Sequence, residues 1–334
     1  MNQARSWMFK SNVWWAVTLG ALAGLGTGCD PSNAVKPGAA VMLSFGAVDQ
    51  AAPTDPVDGP AYLTTVDAAG TPLIPPRSEF IAIFDRLLDP SLLEDPATSS
   101  PLPGLATLTS ALPAVALDAS TIYAPGGDST FHVLLPAGPS FTVIPTCGLP
   151  SSAAGSVQLT MADFVSHDGK TPVTLATGVT SAMAFQTQPL AVSIGVPAAT
   201  PDPAGGPDVL GKATPDTSIT LSFNNLTPPG TDSSATPFSA PCTFFPGLTI
   251  ASRIHATASV AGGAPAPVAA VISQNPMDAT QWVVAPPGTG ADGTGGAWPD
   301  GATITITVDA AAVDVFNQPL GADASASFVV GSAS

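Results

Sequence analysis

Along much of this chain, apolar and polar residues take turns. In "ATITITV" (302–308), Ile304, Ile306 and Val308 share one parity, and Thr305 and Thr307 the other. A period of two sends successive side chains to opposite faces, so this stretch predicts a half-buried strand. Val157, Leu159 and Met161 repeat the pattern. Ile250, Ile254 and Val260 lie on one parity, with Arg253 and His255 on the other. Phe80 to Phe84 is apolar on both parities and predicts a central strand. Clusters of Pro and Gly separate these runs, the punctuation that short antiparallel strands need. A strand with one apolar face cannot bury it alone, so two sheets must pack face to face. With 37 Pro and 32 Gly, few windows are free of helix breakers. The predicted class is all-β.

One apolar stretch does not alternate. Val13 to Gly26 is apolar or small throughout, and residues 1–12 carry Arg5 and Lys10 and no acid. A basic segment followed by 14 apolar or small residues has the proportions of a secretory signal. It is short of the roughly 20 residues that a transmembrane helix needs. Gly26, Thr27, Gly28 and Cys29 follow. This stretch resembles the lipobox of bacterial lipoproteins, a Leu-small-small-Cys sequence cut just before the cysteine, whose sulfur then takes a diacylglycerol. The resemblance implies a signal peptide over 1–28, with Cys29 as the new N-terminus and the lipid on Cys29 as the link to a membrane. Leu25 stands four places before Cys29, where the lipobox has three. An ordinary signal peptide cut near Gly28, leaving a secreted soluble protein, is the alternative.

Beyond residue 60, four pieces recur in order. "SEFIAIFDRLLDP" (78–90) pairs with "TSITLSFNNLTPP" (217–229), aligning Phe84 with Phe223 and Leu87 with Leu226. "FHVLLPAG" (131–138) pairs with "QWVVAPPG" (281–288), aligning His132 with Trp282. "VQLTMADFVSHDGKTPV" (157–173) pairs with "ITITVDAAAVDVFNQPL" (304–320), and "SAMAF" (181–185) with "ASASF" (324–328). The offsets are 139, 150, 147 and 143. Their near constancy predicts one module of about 140 residues used twice.

The paired pieces resemble the bacterial Ig-like domain of S-layer and other surface proteins, the SbsA-like type. In that family an early strand reads Ile-x-Ile-x-Phe and runs into an Asp-Pro-like turn. "FIAIFDRLLDPSLLED" and "ITLSFNNLTPP" have this form. The family closes with an Asp-x-x-Gly-Asn-Pro-Leu loop and a final Phe strand. "ITITVDAAAVDVFNQPLGADASASFVV" follows it, with Phe316 where Gly is usual. The first copy keeps Asp168, Gly169 and Pro172 and has Lys170 for Asn. The resemblance implies two tandem Ig-like β-sandwiches. The expected order is a signal peptide (1–28), a tether that carries a first strand within "AAVMLSFGAV" (29–59), a first domain (60–190) and a second (191–334).

Charge narrows the partners. The formal charge is −16; the leader holds two bases and no acid, so the mature chain stands at −18. Nucleic acid is excluded as a partner, because its recognition rests on Lys and Arg neutralising phosphates. Twenty-two of the 24 acids are Asp, which suits turns and caps.

No reaction chemistry assembles. His132, His167 and His255 stand alone, without another His, Cys or Glu at metal-ligand spacing. Asp128-Ser129-Thr130 and Asp216-Thr217-Ser218 lack the Gly of an aspartic protease triplet, and Gly-x-Ser-x-Gly is absent. Asp292, Asp300 and Asp309 lie near one another in sequence but form no Asp-x-Asp-x-Asp-Gly calcium loop. The expectation is therefore no enzyme, no cofactor and no metal. Without Cys29, the mature chain keeps Cys147 and Cys242, an even pair in an oxidising compartment. They do not fall at equivalent repeat positions, so a bond between them would join the two domains.

The functional expectation is a non-catalytic cell-envelope lipoprotein, at the outer membrane or cell surface. Its Ig-like modules would serve as spacer, adhesion or protein-interaction domains, with a protein or polysaccharide ligand. The alternative is a carbohydrate- or peptide-binding receptor, or an accessory subunit of a cell-envelope enzyme complex. Stacking by Tyr62, Tyr123, Trp282 or Trp298 would favour it. The loops 226–246 and 286–301 are the expected contact surface.

Overall fold

The computed structural model describes residues 38–50, 60–95, 98, 100–112, 117–125, 138–201, 209–228, 242, 245, 249–288 and 296–331. Cys29 and the leader, Asp128 to Thr130, His132 and Asp292 lie outside the described residues. Among the described residues the fold is all-β, with short 3-10 turns and no α-helix.

The first sandwich uses β1 (Val41–Asp49), β2 (Leu73–Ile74), β3 (Ser78–Phe84), β4 (Glu94–Asp95), β5 (Ser100–Pro101), β6 (Ala106–Ser110), β7 (Ala119–Ala124), β8 (Ser140–Pro145), β9 (Ala154–Leu159), β10 (Thr174–Leu175) and β11 (Ala182–Thr187). One sheet has the order β10-β1-β3-β8-β7 and the other β2-β11-β9-β6. The second sandwich uses β12 (Val192–Ile194), β13 (Lys212–Ala213), β14 (Ile219–Phe223), β15 (Ile254–Val260), β16 (Ala266–Pro267), β17 (Val271–Gln274), β18 (Gln281–Ala285), β19 (Ala302–Val308) and β20 (Ala324–Val330). Its sheets run β12-β14-β18-β17 and β13-β20-β19-β15-β16.

The alternation seen in the sequence becomes burial. In β19 the apolar parity is buried and the threonines are half-buried. All seven residues of β3 are buried, as its doubly apolar sequence requires. Its Phe80, Ala82 and Phe84 face the first core, where Phe141 meets Phe164 edge to face with ring centres 4.9 Å apart. Ile81 and Ile83 form a smaller cluster with Val48, against which Tyr62 packs. The second core is built around Trp282, Trp298, Ile304, Ile306 and Phe328. Val260 departs from its parity: it ends β15 and is exposed. Ile250 is buried but precedes a 3-10 turn at Ala251–Arg253, outside the strand.

The two sandwiches repeat one topology. The order β1-β3-β8-β7 matches β12-β14-β18-β17, and β2-β11-β9-β6 matches β13-β20-β19-β15. Individual bonds repeat as well. Phe80 faces Val143 as Ile219 faces Val284. The His167 N–H donates to Leu87 O as the Val315 N–H does to Leu226 O, both at 3.1 Å. The Leu149 N–H donates to Pro76 O as the Trp298 N–H does to Pro215 O, both at 2.7 Å.

The structure corrects the sequence reading in three places. The counterpart of β18 is β8, not residues 131–138, so Trp282 matches Phe141 and not His132. In the third piece, Gly155 and Ile304 both oppose the final-strand Phe, which moves the strand register two residues from the one read in the sequence. A period-2 pattern looks the same after a shift of two. Finally, β1 sits inside the first sheet, between β3 and β10, with Ala40, Met42 and Ala47 in the core. Residues 40–49 of the stretch read as a tether therefore belong to the sandwich.

Candidate functional site at the junction between the sandwiches

β11 leaves the first sandwich at Thr187 and β12 enters the second at Val192. The four residues between them are tied down at both ends. Gln188 N–H donates to Ile74 O at 2.8 Å, and Gln188 O accepts from the Ser152 N–H at 3.1 Å. The Asn224 amide donates to Pro189 O at 2.9 Å and accepts from the Ala191 N–H at 2.8 Å. Leu190 is buried in the second core.

Beside the linker, the turn Cys147–Ser152 of the first sandwich seats on two buried side chains of the second. Gly148 and Ser152 take left-handed conformations there, with φ of 72° and 54°. A Cβ on Gly148 would lie 3.1 Å from the Asn225 side-chain oxygen and 3.2 Å from Pro76 O. Glycine fits both the angle and the space. Asn225 Nδ2 lies 2.9 Å from Leu149 O, 3.2 Å from Ser151 Oγ and 2.9 Å from Asp314 Oδ2. Asp314 Oδ2 also accepts from the Ser151 N–H at 3.0 Å. Its Oδ1 accepts from the N–H groups of Phe316 at 2.9 Å and Gln318 at 2.8 Å. Ser151, Asn225 and Asp314 are fully buried. Burial pushes the Asp314 carboxyl up, against the N–H groups that favour its ionised form.

The repeat shows what is special about Asp314. Its counterpart in the first sandwich is Ser166, whose N–H opens the same turn by bonding to Thr171 O, as that of Asp314 bonds to Gln318 O. The Ser166 hydroxyl accepts from the Ala40 N–H of its own sandwich at 2.6 Å. The longer carboxylate of Asp314 reaches instead into the neighbouring sandwich. In this turn Asn317 takes φ 62°, matching Gly169 at 66°. Asn317 is thus the counterpart of Gly169, and Phe316 is buried beside it.

An apolar contact and a covalent bond complete the junction. Cys147, Leu226, Cys242, Ala279, Val315 and Phe316 form one buried cluster. Cys147 and Cys242 are joined by a disulfide, with Cα atoms 5.4 Å apart and a sequence separation of 95. Each cysteine belongs to a different sandwich.

The other residues singled out in the sequence are dispersed. His167 is exposed. His255 is exposed and meets Asp309 at 3.1 Å. Asp216 accepts from the Thr214 hydroxyl at 2.6 Å, and Asp300 is exposed in a turn. Among the described residues, no three His, Cys, Asp or Glu side chains converge as metal ligands. The four aromatic residues singled out in the sequence are committed to packing. Tyr123, Trp282 and Trp298 are buried. Trp282 donates to the Thr227 hydroxyl at 2.8 Å and Trp298 to Thr217 O at 2.7 Å. Tyr62 lies over Gly46 and donates to Ile81 O at 3.1 Å. A shallow groove of about 280 Å³ borders the linker, lined by Ala191, Val192, Ser193, Ser222, Phe223 and Asn224.

The two long loops separate. Of the 226–246 loop, buried Leu226 and Cys242 lie at the junction, where Cys242 is bonded to Cys147. The 286–301 loop joins the ends of β18 and β19 that lie away from the junction. Phe223, at the junction end of β14, bonds to Thr280 at the start of β18, and Asp314 follows the end of β19.

Fold and junction together define an all-β protein of two tandem sandwiches that share a topology and are clamped end to end. No family model matches the chain, and no curated protein matches it. Among solved structures, it is similar to a crystal structure of the S-layer protein rSbsC(31-844). The identity is 10% and the TM-score 0.22, over 97% of this chain and 44% of that one. The chain thus spans less than half the length of that protein.

Proposed function

We propose that this is a non-catalytic lipoprotein of the bacterial cell envelope, in which the lipid on Cys29 holds one end at a membrane and the two sandwiches present the other. The observation that supports this reading is the junction. Buried polar bonds, an apolar cluster and a disulfide are spent on fixing one sandwich against the next. Such coupling serves position and reach. The mature charge of −18 favours cationic contacts that weaken with salt. The alternative of a sugar receptor draws no support from Tyr62, Tyr123, Trp282 or Trp298, whose rings are packed inside or against a strand.

Metabolic labelling with a radioactive fatty acid tests the anchor. The wild-type protein should take the label and fractionate with membranes, and Cys29→Ser should lose both properties. An unlabelled, soluble wild-type protein would overturn the anchored reading. Turnover of a polysaccharide or peptide by the purified protein would overturn the non-catalytic one.

A further inference from the structure

A disulfide inside one sandwich would leave the linker as the only covalent path between the two. This one crosses the junction and changes that path. From the N-terminal side, the shortest covalent route runs through the first sandwich to Cys147, over the sulfurs to Cys242, and on through the second sandwich. The segment between the cysteines forms a closed loop off that route. It holds β9, β10 and β11, the linker, and β12, β13 and β14.

We propose that the Cys147–Cys242 bond is a load-bearing strap: when the two ends of the chain are pulled apart, it carries the tension across the junction and spares the linker and β12. The places where the strap attaches suit this role. β12 has three residues and, among the described residues, pairs with β14 alone, at Val192–Phe223, Ser193–Ser222 and Ile194–Leu221. Loaded from the linker, the start of the second sandwich would hang on those three pairs. The strap instead enters ahead of β15, which pairs with β19 at seven positions and with β16 on its other side. On the first sandwich it leaves just after β8, which is held between β3 and β7. Asn225 and Asp314 keep the turn Cys147–Ser152 seated, so the strap has little slack to take up. Its use in the cell rests on the anchored reading above; its mechanics do not.

Single-molecule pulling tests the strap on the chain from Asp30 onward, which contains no other cysteine, with handles at its two ends. The fully unfolded oxidised protein should stop about 320 Å short of the same protein in excess dithiothreitol, the extended length of the closed loop. The reduced protein should also show an added low-force step before either sandwich unfolds, as β12 detaches. A Cys147→Ser/Cys242→Ser variant should reproduce the reduced trace. If that variant does not fold, the oxidised and reduced traces of the unaltered chain decide alone. Equal final extensions, or the early step in both states, would overturn the strap. Neither result bears on whether Cys29 is lipidated.

Discussion

Asp314 is the residue on which the junction's polar bonds converge, and its two oxygens are used differently. One accepts from the neighbouring sandwich and from Asn225, the other from its own turn. Each oxygen therefore faces two N–H donors. Asp314→Asn keeps the shape but turns an NH₂ group toward two donors in either orientation. That should cost about 1–3 kcal/mol of stability, the range for a buried group left without a partner. Urea unfolding would measure it, and an unchanged midpoint would refute the geometry. Asp168, in the corresponding turn of the first sandwich, is exposed and behaves differently. The Thr171 hydroxyl, with the N–H groups of Thr171 and Lys170, lowers its carboxyl to about 2. A folded value below the unfolded one means that the stabilisation is present above roughly pH 4 and is lost as pH falls toward 2. Thr171→Val removes the strongest of these bonds and should raise the carboxyl midpoint in an NMR titration. A midpoint that stays put would show that the backbone bonds suffice.

Strand pairing explains both what the sequence revealed and what it hid. β9 and β11 meet where Gly155 faces Phe185. A Cβ on Gly155 would lie 2.6 Å from the Phe185 ring and 2.7 Å from Thr109 O. Backbone on one side and a core ring on the other leave no room to give, so Gly155→Ala should destabilise the first sandwich by about 1–3 kcal/mol. Thermal unfolding would read the loss, and a neutral result would mean the sheet is looser than described. The same glycine misled the alignment. With no side chain at 155, the apolar pattern of β9 begins at Val157 and slides by two against β19. The doubly apolar β3 and the alternating β19 were legible, and so was the duplication. β1 was only partly legible, because its residues lie in a stretch rich in Pro, Gly, Ala and Asp that reads as tether. At the junction, Cys147 and Cys242 were legible as an even pair at non-equivalent positions. Asn225 and Asp314 were not, because an Asn and an Asp in turns look like any solvated turn residues. What marks Asp314 is a comparison between repeats in the structural register, where a carboxylate stands at the place of Ser166; the sequence alignment sets it against His167 instead.

At the scale of the whole molecule, the question is whether two cores behave as one unit. Each sandwich has its own apolar cluster, so each could unfold separately. The disulfide opposes this, because its closed loop takes strands from both. On chain-entropy grounds, a loop with a sequence separation of 95 stabilises by about 4–5 kcal/mol. That figure applies only when the entire loop is unfolded. While either sandwich stays folded, part of the loop remains ordered and the freedom removed is smaller. The benefit therefore falls on the joint transition of the two, together with the buried bonds of Asn225 and Asp314. The chain supplies its own reporters. After the leader, its tryptophans are Trp282 and Trp298, both in the second core, and its tyrosines are Tyr62 and Tyr123, both in the first sandwich. In urea, tryptophan fluorescence and the tyrosine near-ultraviolet signal should change together in the oxidised protein. After reduction, both midpoints should fall and the two curves should part. Curves already apart in the oxidised protein, or still coincident after reduction, would show that the disulfide does not couple the sandwiches.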